Sequence, residues 1–87
     1  MKKYIREAKK IDAKFKKVFS TEHSFILQYD KLYELKMAID GVNLNMDNWD
    51  YILLEICERF DSLLEKISNS KGVTREDAFC MIIKELY

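Results

Sequence analysis

Residues 33–46 read Tyr33-Glu34-Leu35-Lys36-Met37-Ala38-Ile39-Asp40-Gly41-Val42-Asn43-Leu44-Asn45-Met46. Tyr33, Leu35, Met37 and Ile39 stand at every second position. After Asp40-Gly41 the alternation resumes with Val42, Leu44 and Met46. A two-residue Asp-Gly connection pairs Ile39 with Val42, Met37 with Leu44 and Leu35 with Met46, so all six side chains share one face of a hairpin. A connection at Asp30-Lys31-Leu32 adds Phe25, Leu27 and Tyr29 to that face as a further strand, although Leu32 suits a left-handed turn position poorly.

The same stretch admits a helix over 24–39. Leu, Gln, Lys, Glu, Met and Ala favour one, Phe25, Tyr29, Leu32 and Tyr33 share a side, and Gly41 stands where a C-cap is needed. That alternative makes the chain an all-α four-helix bundle. Residues 42–46 decide against it: a helix linker leaves Val42, Leu44 and Met46 exposed or stranded, whereas a strand buries all three. The expectation is therefore a sheet.

On either side the period is helical. Tyr4, Ala8, Ile11, Phe15 and Val18 form one stripe over 3–19, opposite Lys2, Lys3, Arg6, Lys9, Lys10, Lys14, Lys16 and Lys17. Ser20-Thr21-Glu22-His23-Ser24 breaks it. From Asp47, a candidate N-cap, the stripe Trp49, Ile52, Leu53, Ile56, Phe60, Leu63, Leu64 and Ile67 predicts a second long helix, ended by Ser68-Asn69-Ser70-Lys71-Gly72. Thr74 with Asp77 approximates a capping box, Val73 is placed to staple onto Ala78, and Phe79, Ile82, Ile83 and Leu86 form the buried side of a last helix. The order is α-β-β-β-α-α, an α+β fold with a three-stranded antiparallel meander packed by helices.

Size and composition bound what such a domain does. Eighty-seven residues make one domain, 1–87. Eleven aromatic residues exclude a disordered segment, and two glycines with no proline exclude collagen-like or long-linker architectures. A chain of this length buries only about 60–65% of its unfolded surface, leaving little interior for a deep pocket. Lys2-Lys3 is not followed by an apolar run, and no stretch approaches the roughly 18 apolar residues of a membrane span. Cys57 and Cys80 lack the spacing of a zinc site and read as two reduced, small hydrophobes in a cytoplasmic chain.

No pattern of catalytic residues emerges. His23, the only histidine, lies in a polar break without a recognisable triad partner, and reads as a solvated turn residue. Asn43-x-Asn45-x-Asp47 has the alternating oxygens of a calcium loop, but Asn48 and Leu54 occupy the places of its glycine and its bidentate glutamate. Gly41 and Gly72 are isolated, so there is no phosphate loop. Glu55, Glu58, Asp61 and Glu65 form an acidic stripe opposite the apolar face of their helix, which predicts solvated carboxylates rather than an acid–base pair. Arg6, Arg59 and Arg75 fall on three different helices. No catalytic residue, metal, cofactor or small-molecule substrate is expected.

The distribution of charge says more than its sum. Lys+Arg and Asp+Glu both total 15. Residues 1–19 carry eight basic and two acidic side chains, +8 − 2 = +6, so the remainder is −6. Three accounts suit this: two faces solvated or paired within one molecule, attachment to a protein partner or a second copy, or a first helix that tracks phosphates.

Residues 3–67, in the order α-β-β-β-α, resemble the double-stranded RNA-binding domain in topology. That family contacts phosphates from lysines at the start of its second helix, where this chain has Asp47, Asn48, Trp49 and Asp50, so no residue roles carry over. The full order α-β-β-β-α-α is similar to that of some small phage-encoded anti-CRISPR proteins, a likeness of size and order without a shared motif. The functional expectation is a non-enzymatic module that binds a protein through Lys9, Lys10, Lys14, Lys16 and Lys17 or through Glu55, Glu58, Asp61 and Glu65. An inhibitor, adaptor or immunity-type role suits such a module. The alternative is nucleic-acid binding through the same lysines. An exposed aromatic or apolar anchor at Tyr51, Met81 or Tyr87 would mark the protein interface.

Overall fold

A computed structural model describes residues 1–34 and 48–87, with only the backbone of 48–50. Helix α1 spans Lys2–Val18. A 3₁₀ turn at Ile26–Gln28 leads directly into α2, residues 29–34. Helix α3 spans Asn48–Lys71 and α4 spans Arg75–Leu86. Among the described residues there is no strand, and no helix is long and apolar enough to cross a membrane.

The expected α+β fold is therefore corrected to the all-α alternative. The segment assigned to the meander's first strand is helical, and so is Tyr33, the start of the second; the Asp40-Gly41 hairpin and the calcium-like 43–47 pattern lie outside the described residues. Parity shows why. A strand turns Phe25, Leu27 and Tyr29 to one side and Ile26 to the other. In the structure Ile26 is fully buried while Leu27 is 61% exposed. Phe25 and Tyr29 both have α-region backbones (φ −61°, ψ −44° and φ −55°, ψ −43°). The two topological resemblances rested on the strand order and fall with it.

The helices read from 3.6-residue periodicity stand close to their expected places. Ala8, Ile11 and Phe15 of α1 pack with Leu53, Ile56, Cys57, Phe60, Leu63, Leu64 and Ile67 of α3 and with Ala78 and Ile82 of α4 in one core. Phe25 and Tyr29 enter this core from the short helical segment. Phe25 meets Phe15 at 5.3 Å and Phe60 edge-on at 5.5 Å, and Tyr29 meets Phe60 at 4.7 Å and Phe79 at 5.6 Å. Aromatic pairs at these separations contribute about 0.5–1.5 kcal/mol each beyond the area they bury. Phe60 thus joins α2 to α3 and α4.

The helix ends follow local chemistry. α1 closes with Ser20 in the left-handed region (φ 49°) and the Thr21 N–H on the Lys16 carbonyl at 3.0 Å. The polar run 68–71, expected to stop α3, is its last turn. The chain leaves the helix only at Gly72 (φ 66°), where the Val73 N–H reaches the Ser68 carbonyl at 3.2 Å. Thr74 caps α4 as expected, its Oγ1 accepting the Asp77 N–H at 3.1 Å.

Candidate functional site

α1 packs on both α3 and α4, so its inner stripe is committed and its outer side faces solvent. The five lysines singled out from the sequence divide by position. Lys9, Lys10 and Lys17 are exposed on the outer side with Lys2, Lys3 and Arg6, without ion-pair partners among the described residues. Lys14 Nζ lies 3.5 Å from Glu55 Oε1 across the α1–α3 seam, and Lys16 Nζ lies 3.2 Å from Asp12 Oδ2. The two carboxylates of α1 also turn to its edges, Asp12 to Lys16 and Glu7 to Arg59 of α3 at 3.6 Å. The outer side of α1 is left as six cations with no acid of α1 among them, and Glu85 of α4 shares a surface groove with Lys2, Arg6 and Lys9.

The acidic stripe of α3 is less uniform than its spacing implied. Glu58 and Glu65 are exposed, and Glu55 is exposed but paired. Asp61 departs from the expectation of a solvated carboxylate: its side chain is only 18% exposed, with Arg75 Nη2 at 3.1 Å from Oδ1. Burial raises the Asp61 pKa above the ordinary aspartate value, and the Arg75 charge and hydrogen bond offset part of that rise. The Asp61 carboxylate and the Arg75 guanidinium thus form an ion pair across the seam of α3 and α4. His23 is exposed, its N–H bonded to Thr21 Oγ1 at 3.1 Å. Cys57 is buried as expected; Cys80 is not, and stands exposed on α4.

Two features escaped the sequence. The first is a node at Asp12. Its Oδ1 accepts the N–H groups of Phe25 (2.7 Å) and Ile26 (3.4 Å) and the Ser24 hydroxyl (3.1 Å). With its only proton on Asp12, Ser24 Oγ accepts the Leu27 N–H at 3.3 Å and the Tyr87 hydroxyl at 2.6 Å. Leu27 and Tyr87, each 61% exposed, are thereby fixed on either side of one serine, with Lys16 beside them through Asp12. Tyr87 is one of the anchors the sequence suggests; Leu27 is not, because the strand reading turns it inward. Tyr51 is equally exposed, whereas Met81 is half-buried.

The second is a cleft of about 580 Å³ between α2, α3 and α4. Tyr29, Tyr33, Leu64 and Phe79 form its apolar walls, with Asp30, Glu34, Arg75 and Glu76 among its charged lining. No family model, curated protein or solved structure matches the chain.

Proposed function

We propose that this chain is a non-enzymatic binding module that attaches to a protein partner, with the exposed pair Leu27 and Tyr87 as anchor and the cations of α1 steering the encounter. The observation that carries the reading is the Asp12–Ser24 node. It holds a leucine and a tyrosine, separated by 60 positions in sequence, at one solvent-facing place. The node fixes the Leu27 backbone and, through its hydroxyl, the Tyr87 ring; an aromatic ring held before binding loses little freedom when a partner covers it, and such anchors contribute more to affinity than single rim charges. The six cations on the outer side of α1 raise the association rate with an acidic partner without fixing it in place. An inhibitor or adaptor role accords with an 87-residue chain of this kind. Cys57 and Cys80 are not joined in a disulfide, which accords with a reducing compartment, the cytoplasm.

Nucleic-acid binding is the second reading, favoured by the same six cations. The two are separated by titrating the chain against single- and double-stranded nucleic acid at about 50 and 200 mM salt, where counterion release predicts a large drop in affinity for a phosphate tracker. Under the protein reading there is no binding at either salt. A partner retained by the immobilised chain is then lost on Leu27→Ala with Tyr87→Ala and is slowed rather than lost on Lys10→Glu. Retention that ignores the double substitution contradicts the anchor. Tight, salt-sensitive binding abolished by Lys10→Glu and Lys17→Glu replaces the protein reading with the nucleic-acid one.

A further inference from the structure

Two ion pairs cross the seam between α1 and α3, Lys14 with Glu55 at 3.5 Å and Glu7 with Arg59 at 3.6 Å. The later residue of α1 meets the earlier residue of α3, so the helices run antiparallel. Residues of the two helices whose numbers add to between 66 and 69 therefore stand at one level. Beside the seam each helix exposes a row spaced by seven residues, about 10.5 Å along the axis. On α1 the row is Lys3, Lys10 and Lys17, each one turn from Glu7 or Lys14. On α3 it is Tyr51, Glu58 and Glu65, the first two one turn either side of Glu55. All six side chains are exposed, and the five charged ones have no ion-pair partner among the described residues. Lys3 is level with Glu65, Lys10 with Glu58 and Lys17 with Tyr51, each pair of numbers adding to 68.

We infer that this α1–α3 face docks on the same face of a second copy of the chain, in a two-fold dimer. An axis parallel to the helices exchanges left and right while keeping height, so it lays α1 of one copy antiparallel on α3 of the other, twice. The register is then not free. It is the one set by the internal ion pairs, and it brings Lys3, Lys10 and Lys17 against the partner's Glu65, Glu58 and Tyr51. The Lys17 ammonium meets the Tyr51 ring, which is 61% exposed, as a cation–π contact. A helix of 17 residues is about 25 Å long and two helices are about 20 Å wide, so the face covers about 500 Å² per copy. That is the small end of specific interfaces, and exposed ion pairs are individually weak, so the dimer is weak and salt-sensitive. Lys66, exposed beside Glu65, opposes the first lysines of the second copy and limits the affinity. The other edge of α1, where Asp12 and Lys16 stand beside Leu27 and Tyr87, stays open, so dimerisation and the proposed anchor stand or fall separately.

Sedimentation equilibrium of the whole chain, up to about 1 mM protein at about 50 and 300 mM salt, tests this. The expected result is a monomer–dimer equilibrium at least about tenfold weaker at the higher salt, with nothing larger than a dimer. Lys10→Glu and Glu58→Lys, both on exposed positions, are each expected to weaken the dimer about tenfold or more. Mixing the two variants is expected to restore it, because the reversed charges then face one another while the other copy of the contact is wild type. Lys66→Glu is expected to tighten it about threefold. A chain that stays monomeric at about 1 mM and 50 mM salt overturns the dimer, as does association indifferent to salt or to either reversal. Failure of the mixture to restore the dimer, or of Lys66→Glu to tighten it, overturns the register. Growth beyond a dimer overturns the two-fold arrangement in favour of an open head-to-tail chain.

Discussion

Asp12 Oδ1 accepts the backbone N–H of Phe25 at 2.7 Å, thirteen residues further along the chain. One carboxylate on α1 thereby caps a second helical segment that does not adjoin it in sequence, and through Ser24 the same atom reaches Leu27 and Tyr87. The first-turn N–H groups of a helix have no partner within it, and a side-chain oxygen that takes two of them fixes where the helix begins.

Asp12→Ala leaves those two N–H groups without their acceptor and frees Ser24. The expected cost is about 1–3 kcal/mol of global stability, read as a lower urea midpoint. Asp12→Asn keeps a side-chain oxygen in place and is expected to lose less than half as much. Equal losses for the two variants would mean that the negative charge, through Lys16, matters more than the capping geometry.

How much of this was legible in the sequence depends on what each residue needed to be read. α1, α3 and α4 were legible because each carries an apolar stripe of period 3.6 over at least two turns, with Thr74 marking a start and Gly72 a stop. The segment 25–34 was not. Phe25 and Tyr29 lie on one side in a strand as well as in a helix, and only Ile26 and Leu27 distinguish the two. Residue type does not say which of those faces water. The decisive contribution, Asp12, lies in another helix and looked like one of two acids among eight basic residues. For the candidate surfaces, helix position placed Lys9, Lys10 and Lys17 outside correctly. The pairing of Lys14 with Glu55 and the enclosure of Asp61 depend on how α1 and α4 lie against α3, which no local pattern encodes. Arg75 in the first turn of α4 was a signal for Asp61 only once that packing was known.

The two cysteines are expected to differ in reactivity. Cys80 is exposed on α4, whereas Cys57 is fully buried in the α3 core. A disulfide reagent should consume one thiol rapidly in the folded protein and the second only at the rate of opening, or at once in denaturant. Two rapid thiols would show that the α3 core opens far more readily than its packing implies.

Two left-handed positions predict opposite signs. Gly72 has φ 66° and nothing within 4 Å of the place a Cβ would occupy, so Gly72→Ala meets no clash and costs only the backbone penalty of about 1–2 kcal/mol. Ser20 holds φ 49° with a side chain present. Ser20→Gly removes that strain but widens the unfolded ensemble, so its gain is smaller than the Gly72→Ala loss. Urea midpoints of the two variants measured together check the contrast. A neutral Gly72→Ala would mean that α3 ends in another conformation in solution.

Asp61 gives the pH dependence. Burial raises its folded-state pKa above 3.8, more than the Arg75 charge and hydrogen bond lower it. A carboxyl raised on folding binds its proton more tightly in the folded state than in the unfolded one. The full cost of holding it ionised is therefore present at neutral pH, and is relieved as pH falls through the raised pKa towards 3.8. Asp61→Asn carries no such cost and has no titration at this site. Between about pH 7 and pH 4 the wild-type chain is thus expected to gain stability relative to the Asn variant, whatever the other carboxylates contribute to both. Paired urea titrations across that range measure the difference. A wild-type chain that loses ground to Asp61→Asn on acidification would place the Arg75 pairing above burial, and would make the α3–α4 seam an ion-pair clasp rather than a carboxylate held against its preference.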